Sequence, residues 1–273
     1  MNVDMISVEN LSYIYKDGTK ALNNISLKIP AQAKVALLGP NGAGKSTLLL
    51  HFNGIFQAQT GVVKVLGQPI TKSNEKWVRS KVGFVFQDPD DQVFSSTVWE
   101  DVAFGPINMG IKGLELKEKV NYALKVVGME AFAQKAPQAL SYGQKKRVAI
   151  AGILAMEPEI IILDEPLAFL DPKGKEDLFN ILNSLNKKGT SIIIATHDVN
   201  LAAEWADEII IIKNGSLLAQ GEPGLLTDKE IVGEANLTIP IVSQVFDGLE
   251  KWDKKLPIRI KEAKNQLINS FEK

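Results

Sequence analysis

The sequence VALLGPNGAGKSTLLL occupies residues 35–50 and constrains the architecture of the whole chain. Residues 35–38 are an apolar run of the kind that forms a buried strand, and residues 47–50 can begin a helix. Between these two segments the chain matches the pattern G-x-x-x-x-G-K-[ST], which is typical of loops that bind phosphate groups. The loop is made of Gly39, Pro40, Asn41, Gly42, Ala43, Gly44, Lys45 and Ser46. We refer to these residues as the phosphate loop.

The residue types of the phosphate loop suit the binding of a nucleotide. Its glycines allow the backbone to curl so that several N–H groups point inward at phosphate oxygens. The start of the following helix adds partial positive charge at the same place. We expect Lys45 to reach the terminal phosphates, Ser46 to ligate Mg²⁺, and Thr47 to line the same nucleotide site. A plain glycine turn is the alternative, but the flanking strand and helix are the context that the motif requires.

A phosphate loop requires an acidic residue on a neighbouring strand, and the segment IIILDE at residues 160–165 supplies one. Its apolar half predicts a buried strand, and Asp164 and Glu165 follow directly. Asp164, at the strand exit, is expected to hold the metal ion through water. Glu165 suits a general base that orients the attacking water. The alternative is that Glu165 only caps the turn that follows.

Five short apolar runs indicate a mainly parallel sheet. They are rich in Val and Ile, and they occupy residues 35–38, 82–86, 160–163, 192–195 and 209–212. Strands that are buried on both faces show this pattern, and helical spacing appears between several of the runs. The alternation of strands and helices predicts an α/β fold in which helices cover the sheet.

Three further segments refine the predicted fold. The first thirty residues alternate partly and turn at Lys16-Asp17-Gly18, which predicts antiparallel sheet. Asn214-Gly215 predicts a tight hairpin after the last apolar run. Residues 88–156 are mostly helical, and Thr97 with Glu100 has the form of a capping box that begins a helix. We therefore expect a sheet core with one antiparallel and one helical region attached to it.

Composition excludes several classes of protein. The chain has 273 residues, of which 45% are hydrophobic and 23% charged, the balance of a globular protein. Its 31 basic and 32 acidic residues give a net charge of −1, which offers no electrostatic reason to bind nucleic acid. The lack of cysteine excludes disulfides, thiolate zinc sites and cysteine nucleophiles. No apolar run reaches the ~18 residues that span a bilayer. If the protein acts at a membrane, we expect it to act from one side without crossing it.

The order of the motifs resembles that of the ATP-binding cassette ATPases. The segment LSYGQ at residues 140–144, called the signature below, precedes the acidic strand. The phosphate loop, Gln87, the signature, the acidic pair, Leu170-Asp171 and His197 follow one another in the order found in that family. The resemblance covers about residues 5–221. It implies an α/β P-loop nucleoside-triphosphatase core with a mainly parallel sheet, an N-terminal antiparallel β-subdomain and a helical subdomain that carries the signature.

The resemblance also implies a division into domains. We expect an ATPase domain at residues 1–221, whose helical subdomain spans about residues 88–156. Residues 222–273 are then a C-terminal extension, because the alternation of strands and helices fades after residue 221.

The resemblance assigns further residues to the nucleotide. Tyr15 resembles the aromatic residue that stacks on adenine, with Tyr13 as the weaker candidate; the alternative is that both tyrosines pack on a sheet. Gln87 resembles the glutamine that touches Mg²⁺ and water and senses the γ-phosphate. His197 resembles the histidine that contacts the γ-phosphate, so both residues join the expected catalytic set. His51 matches no motif and is expected to pack in the interior.

The signature implies a dimer. Ser141, Gly143 and Gln144 resemble the residues that bind the γ-phosphate of an ATP molecule held by a second chain. The family works as a head-to-tail dimer with two ATP molecules at its interface, and Asp171 resembles the residue that communicates across that interface. The resemblance therefore makes a second ATPase chain an expected partner.

Two positions depart from the family pattern. Tyr142 stands in the signature where glycine is commonest, and Phe169 stands where glycine or a small residue is common. We expect Tyr142 to point away from the phosphate. These departures bear on the geometry of the dimer interface rather than on the chemistry.

Several segments resemble one branch of the family, the energy-coupling-factor importers. QDPDDQ at residues 87–92 and TVWEDVAFGP at residues 97–106 have the form found in that branch. KKRVAIAG at 145–152, HDVNL at 197–201 and EWAD at 204–207 resemble the ATPases of its cobalt importers. Nickel importers are close relatives, and the ATPase of a vitamin importer is the alternative.

Apolar residues near Gln87 suggest where a partner binds. Val93, Phe94, Val98 and Trp99 form either a patch that receives a partner's cytoplasmic helix or part of the helical core. We expect a mixture, with Trp99 as the first candidate of the four for burial.

The resemblance thus implies an ATPase that uses ATP and Mg²⁺ and drives the uptake of cobalt or nickel. Its expected partners are a second ATPase chain, a transmembrane coupling subunit and a substrate-binding membrane subunit, with no nucleic acid. It is expected to be a peripheral protein at the cytoplasmic face of the cell membrane. With no cysteine and two histidines, one of them assigned to ATP, the chain itself offers no plausible cobalt site. A soluble ATPase of DNA repair or translation and a non-catalytic nucleotide-binding scaffold are the competing classes.

Overall fold

The computed structural model describes residues 4–249 and 256–271, which form two β-sheets and the helices around them. The strands are β1 (Ile6–Ile14), β2 (Lys20–Ile29), β3 (Lys34–Leu38), β4 (Thr60–Val65), β5 (Gln68–Pro69), β6 (Val82–Val85), β7 (Ile160–Asp164), β8 (Ser191–Thr196), β9 (Glu208–Lys213) and β10 (Ser216–Gly221). One sheet has the strand order β2-β1-β4-β5, and the other has the order β10-β9-β3-β8-β7-β6.

The described residues also form ten α-helices. They are α1 (Lys45–Phe52), α2 (Glu75–Lys81), α3 (Val98–Asn108), α4 (Gly113–Val126), α5 (Tyr142–Leu154), α6 (Pro172–Lys187), α7 (Val199–Trp205), α8 (Lys229–Glu234), α9 (Ile241–Phe246) and α10 (Ile260–Phe271). Within the same residues no helix is both long and apolar enough to span a bilayer.

The six-stranded sheet confirms the predicted α/β fold. Strands β6, β7, β8, β3 and β9 run parallel, and β10 returns antiparallel after β9. Each of the five apolar runs forms one of the parallel strands, because such segments can be buried on both faces. Asn214 and Gly215 turn between β9 and β10 with φ of 49° and 75°, as the predicted two-residue hairpin requires. The carboxyl ends of the parallel strands therefore meet at one edge of the sheet.

The four-stranded sheet is antiparallel, as the first thirty residues predict. Its apolar side chains share a core with α1 and with side chains of the six-stranded sheet. Strand β2 also lies beside the edge strand β10. The Asn23 N–H donates to the Gly215 carbonyl over 2.7 Å, and Gln220 Nε2 donates to the Lys28 carbonyl over 2.6 Å. The two sheets are thereby joined along the β10 edge.

Helices α3, α4 and α5 form the predicted helical region and bury a second core against the six-stranded sheet. Helix α3 begins at the predicted capping box, in which Thr97 and Glu100 each accept a hydrogen bond from the other's backbone N–H over 3.2 Å. Helix α5 packs directly on the backbone of β6. A Cβ atom at Gly83 would overlap Cγ2 of Ile153, so the strand needs glycine at this position.

The four apolar residues near Gln87 divide between core and surface, but not as predicted. Val93 and Val98 are buried, whereas Phe94 is 61% exposed. Trp99 is only half-buried, so the prediction that it is the first candidate of the four for burial is wrong. Val98 and Val102, one helical turn apart, define the inward face of α3, and Trp99 packs at the margin of that face.

The C-terminal helices are bonded to the end of α7. Arg259 donates from Nε to the Ala203 carbonyl over 3.1 Å and from Nη2 to the Ala206 carbonyl over 2.8 Å. The Ile260 N–H donates to Glu204 Oε1 over 2.6 Å. The predicted boundary between ATPase domain and extension stays a prediction, and part of the predicted extension lies outside the described residues.

Candidate nucleotide-hydrolysis site

The phosphate loop joins the end of β3 to the start of α1, as predicted. Gly44 has a φ of 102°, which favours glycine, and a Cβ there would lie 2.6 Å from the Ala21 carbonyl oxygen. A Cβ at Gly39 would overlap the Ile212 carbonyl. Both ends of the loop therefore require glycine, because backbone from each of the two sheets approaches them closely.

Lys45 lies buried within the phosphate loop. Its Nζ donates to the carbonyls of Gly39 and Pro40 over 2.8 and 3.1 Å. Burial lowers the pKa of the Lys45 ammonium, while the carboxylates of Glu165 and Asp164 oppose that shift. A cation at the start of a helix makes this a favourable place for anionic phosphate groups.

A cavity of about 350 Å³ opens at the carboxyl edge of the sheet, and Ser46, Gln87 and Asp164 line it together. Asp164 is the last residue of β7 and is hydrogen bonded to the Ser46 side chain. Burial raises the pKa of Asp164, the Ser46 bond lowers it, and the Glu165 charge raises it again. The three predicted metal ligands are thus brought to one cavity. Their hydroxyl, carboxylate and amide oxygens are hard donors of the kind that Mg²⁺ prefers.

Glu165 directs its carboxylate toward His197 rather than toward the turn that follows. Its Oε1 lies 2.9 Å from His197 Nδ1, and its Oε2 accepts from the Thr196 hydroxyl over 3.3 Å. The following turn instead uses the Glu165 backbone carbonyl, which accepts from the Ala168 N–H over 3.2 Å. The alternative in which the side chain only caps that turn is therefore wrong. Glu165 itself has a φ of 43°, in the left-handed region that is uncommon for residues other than glycine.

Tyr13 and Tyr15 pack against each other in one aromatic cluster, and Tyr15 also bonds the residue that follows the phosphate loop. The hydroxyls of Tyr15 and Thr47 are hydrogen bonded over 2.8 Å. Tyr13 stacks on Phe56 with ring centroids 5.1 Å apart and an interplanar angle of 10°. His51 is buried against Tyr13 and bonds the Thr47 carbonyl through Nδ1 over 2.7 Å, which confirms its predicted packing role. This arrangement favours Tyr15 over Tyr13 as the residue that stacks on adenine.

The signature begins α5 with a second capping box, which was missed in the sequence. Ser141 Oγ accepts from the Gln144 N–H over 3.3 Å, and Gln144 Oε1 accepts from the Ser141 N–H over 3.0 Å. The signal is present, because S-x-x-Q is the same pattern that predicts the start of α3. Ser141 is exposed, and Gly143 lies beside Leu170. The signature therefore presents a capped helix start at the surface of the chain.

The two residues that depart from the family pattern contact each other. The rings of Tyr142 and Phe169 meet edge to face with centroids 5.2 Å apart. The Tyr142 hydroxyl donates to the Gln87 carbonyl over 3.0 Å, and the side chain lines the cavity of its own chain. Phe169 has a φ of 62°, a conformation that glycine adopts at less cost. How Tyr142 is oriented toward the phosphate of a second chain stays a prediction.

Lys146 is a site residue that was not predicted from any motif. Its side chain is 1% exposed, and its Nζ donates to the carbonyls of Gln87 and Glu165 over 3.0 and 3.3 Å. Burial lowers the pKa of Lys146 to about 8. The signal that the sequence offers is the position of Lys146, three and four residues before Ala149 and Ile150. This spacing places it on the buried face of α5, where lysine is unusual.

The fold and the cavity together define a phosphate-loop nucleoside triphosphatase. A phosphate loop after β3, an acidic pair at the end of β7 and polar residues after β6 and β8 converge at the carboxyl edge of one parallel sheet. This is the edge at which open α/β sheets bind their ligands.

Known proteins place the chain more narrowly within that class. The sequence profile of the ABC transporter family matches residues 22–168. The energy-coupling factor transporter ATP-binding protein EcfA of Carboxydothermus hydrogenoformans is 46% identical over 266 residues, which cover 97% of this chain and 98% of the relative. EcfA of Methanocaldococcus jannaschii is 48% identical over 272 residues, which cover 97% of each chain.

Solved structures agree with this placement. The structure of cbiO1 from Clostridium perfringens, described as part of the ABC transporter complex cbiONQ, is similar with a TM-score of 0.76 and 42% identity, covering 86% of this chain and 95% of that one. A dimeric, post-hydrolysis structure of the ATP-binding cassette MJ0796 with ADP and Pi is similar with a TM-score of 0.74 and 32% identity, covering 80% and 99%. This chain belongs to the ABC transporter family and is an ATP-binding subunit of the energy-coupling-factor type, an ATPase. The two relatives named above are ATP-binding proteins of transporters, not the DNA-repair or translation ATPases considered as an alternative.

Proposed function

We propose that this ATPase drives the import of cobalt through separate membrane subunits. The observation that carries the proposal is the resemblance of residues 145–152, 197–201 and 204–207 to the ATPases of cobalt importers. The likeness to cbiO1, which is described as part of the complex cbiONQ, supports it. Nickel is the second candidate cargo, because nickel importers are close relatives of that group.

The phosphate groups of ATP are held by the phosphate loop in this proposal. The backbone N–H groups of the loop and the start of α1 face the phosphates, and Lys45 pairs with their terminal charge. Tyr15 stacks on adenine, and its bond to Thr47 links the base to the phosphate side of the site. Ser46, Asp164 and Gln87 would hold Mg²⁺, whose charge offsets that of the β- and γ-phosphates when it is bound.

Glu165 is the proposed general base. Its carboxylate is mostly buried, and its two oxygens are held by Thr196 and His197, which fixes its orientation for the water that attacks the γ-phosphate. His197 uses Nδ1 toward Glu165, which leaves Nε2 as the ring atom that contacts the γ-phosphate. Gln87 positions the same water from the opposite loop.

The test of this assignment is Glu165→Gln. An amide keeps the size of the side chain but cannot accept a proton, so hydrolysis should fall by about 10²–10⁴-fold while ATP binding survives. Glu159→Gln is the matched control, because Glu159 lies on the same approach to β7 but only pairs with Lys81 at the surface. If Glu165→Gln hydrolyses ATP at the rate of the unaltered chain, the general-base assignment is wrong.

A second copy of the chain completes the site in this proposal. Ser141 is exposed at the start of α5, with Gly143 and Gln144 in the first turn, so this helix start can meet the γ-phosphate on the partner. Asp171 Oδ1 accepts from the Gly174 N–H over 2.7 Å, which fixes the turn that faces the same interface. The ATPase domain is assigned to residues 1–221, and the extension at 222–273 is assigned a regulatory or dimer-stabilising role.

A groove between the sheet core and the helical region is the proposed docking place of the transmembrane coupling subunit. It encloses about 980 Å³, and Trp77, Phe94, Phe104 and Met109 are among its apolar lining residues. Phe94 and Phe104 pack edge to face yet are 61% and 50% exposed. Such a groove fits the apolar face of an amphipathic helix. The chain would then be peripheral at the cytoplasmic face of the cell membrane, with the substrate-binding membrane subunit beside the coupling subunit.

The cargo is tested by uptake of labelled cobalt in cells that lack this chain. Uptake should be lost and should return with the intact chain but not with Lys45→Ala, because that variant cannot hold the phosphate charge. Unchanged uptake, with no redundant system present, would contradict cobalt as the cargo. The ATPase would still belong to an importer, and labelled nickel followed by vitamins would be tried next in the same cells.

A further inference from the structure

We infer that Lys146 is a positioning residue for ATP hydrolysis, because it ties helix α5 to the backbone of both Gln87 and Glu165. The inference rests on the proposed function, in which those two residues act on the attacking water. Lys146 does not touch substrate in this account. It holds two loops in a fixed relation to the helix that carries the signature.

The contacts of Lys146 connect three separate parts of the chain. Its Nζ donates to the Gln87 carbonyl, just after β6, and to the Glu165 carbonyl, just after β7. The side chain comes from α5 in the helical region. A single buried ammonium group therefore links the helical region to the ends of two adjacent parallel strands.

The bond to Glu165 falls on a residue in an unfavourable conformation. Left-handed backbone is unfavourable for a residue with a side chain, and Glu165 has a φ of 43°. That conformation sends its carboxylate to His197 and Thr196. A charged donor makes a stronger hydrogen bond than a neutral one, so Lys146 is suited to stabilise this turn.

The bond to Gln87 is reinforced from the same helix. The Gln87 carbonyl also accepts from the Tyr142 hydroxyl, and the Lys146 ammonium lies 5.6 Å from the centroid of the Tyr142 ring. Two residues at the start of α5 thus hold one carbonyl. A movement of the signature helix would be transmitted to the Gln87 loop through both of them.

The chemical type of Lys146 argues against a role in packing alone. Burying a cation costs free energy that an apolar side chain of the same length avoids. Within the described residues its hydrogen-bond partners are two backbone carbonyls, and the carboxylates of Asp88, Asp164 and Glu165 act on it only at longer range. The charged ammonium group therefore bonds the backbone of Gln87 and Glu165, the two residues that act on water in the proposed mechanism.

Three variants of the full-length chain test the inference. Lys146→Met keeps the length of the side chain but removes the donor, and Lys146→Arg keeps charged donors. Lys145→Met is the matched control on the same helix, since it removes only a partly exposed ion pair with Asp90. For each variant we would measure kcat, the KM for ATP, the dissociation constant of an ATP analogue and the thermal midpoint.

We expect Lys146→Met to lower kcat by at least about tenfold, because small displacements of a catalytic group are costly. The KM and the dissociation constant should change by less than about threefold, since the phosphate loop is untouched. Lys146→Arg should recover most of kcat, and Lys145→Met should stay within about twofold of the unaltered chain. If Arg is too large to fold at this site, Lys146→Gln provides a shorter donor for the same recovery.

Two outcomes would overturn the inference. In the first, Lys146→Met keeps kcat within twofold. In the second, kcat, nucleotide affinity and thermal midpoint fall together and no donor variant restores kcat, which is the behaviour of a packing residue. Glu165→Gln is measured alongside: if it is inactive while Lys146→Met is normal, only this inference fails. If Glu165→Gln is active, the proposed base is wrong whatever Lys146 does.

Discussion

His51 shows how one buried side chain makes stability depend on pH. Its imidazole lies against Tyr13, and its Nδ1 bonds the Thr47 carbonyl. Burial lowers the pKa of His51 below the ordinary histidine value, so the folded chain holds it neutral. Below pH ~6.5 the unfolded chain binds a proton at this residue that the folded chain does not. Stability is therefore fully present above that pH and decreases as the pH falls through it.

We predict that the thermal midpoint falls more steeply between pH 7 and pH 5.5 in the unaltered chain than in His51→Phe. Phe cannot be protonated, and it keeps an aromatic ring at this position. Since the chain has two histidines, His197→Phe provides the control for the other one. Equal pH slopes for the unaltered chain and His51→Phe would show that His51 does not cause the effect.

The individual site residues were predicted from the sequence only where a motif fixes them. Lys45, Asp164 and Glu165 were found because loop chemistry and strand ends place them at one edge of the sheet. Lys146 was not, because its contacts are with carbonyls that the fold brings together from distant parts of the chain. Trp99 was misplaced for a related reason: side-chain size favours burial, but the rotation of α3 about its axis decides which residue faces the core.

The contact between helix α5 and strand β6 depends on the lack of a side chain at Gly83. A Cβ on Gly83 would overlap Ile153, so we predict that Gly83→Ala destabilises the chain by about 1–3 kcal/mol. The loss should be smaller when Ile153→Ala is present as well, because the obstructing methyl is gone. Thermal and urea unfolding of the two single variants and the double variant measure this coupling.

Gly233→Ala provides the control for that experiment. Gly233 lies in α8, its φ is not positive, and nothing stands within 4 Å of its Cβ position. The change should be neutral or stabilise the chain by up to about 1 kcal/mol, because alanine favours helix. A destabilisation as large as that of Gly83→Ala would mean that the added methyl itself, not the contact with α5, is responsible.

The elements of the core were more predictable than those of the C-terminal extension. Apolar runs without alternation identify strands buried on both faces, and all five run parallel in the sheet. Helices α8 and α9 have six residues each, too short for a helical period to stand out in sequence. Their place in the fold is set by contacts with other elements rather than by local pattern.

The molecule as a whole is built from a sheet core to which the C-terminal helices are attached by hydrogen bonds to α7 and by apolar contacts. One of these attachments is the guanidinium of Arg259, which donates to the Ala203 and Ala206 carbonyls at the end of α7. Carbonyls at a helix end lack partners within the helix, and a cation is favoured there. The sequence predicts an extension after residue 221. It does not predict that this extension is hydrogen bonded to α7, the helix that follows His197.

We predict that Arg259→Met weakens this attachment by about 1.5–3 kcal/mol, the range for hydrogen bonds from charged groups. Hydrogen exchange of α10 and of the end of α7 should become faster, while the strands of the parallel sheet keep their protection. Lys261→Met is the control, since Lys261 is exposed on the same helix. Equal acceleration in the parallel strands would contradict the view that the C-terminal helices open independently.

The position of β2 beside the β10 edge has a consequence for self-association. An unpaired outer strand is a template on which another chain can add a strand, and this is a common route to aggregation. Here β2 lies beside that edge, and Ser216 and Gln220 of β10 donate from their side chains to the Asn23 and Lys28 carbonyls of β2. A partner is therefore expected to approach this side of the molecule through side chains, and β10 is protected against the growth of intermolecular sheets.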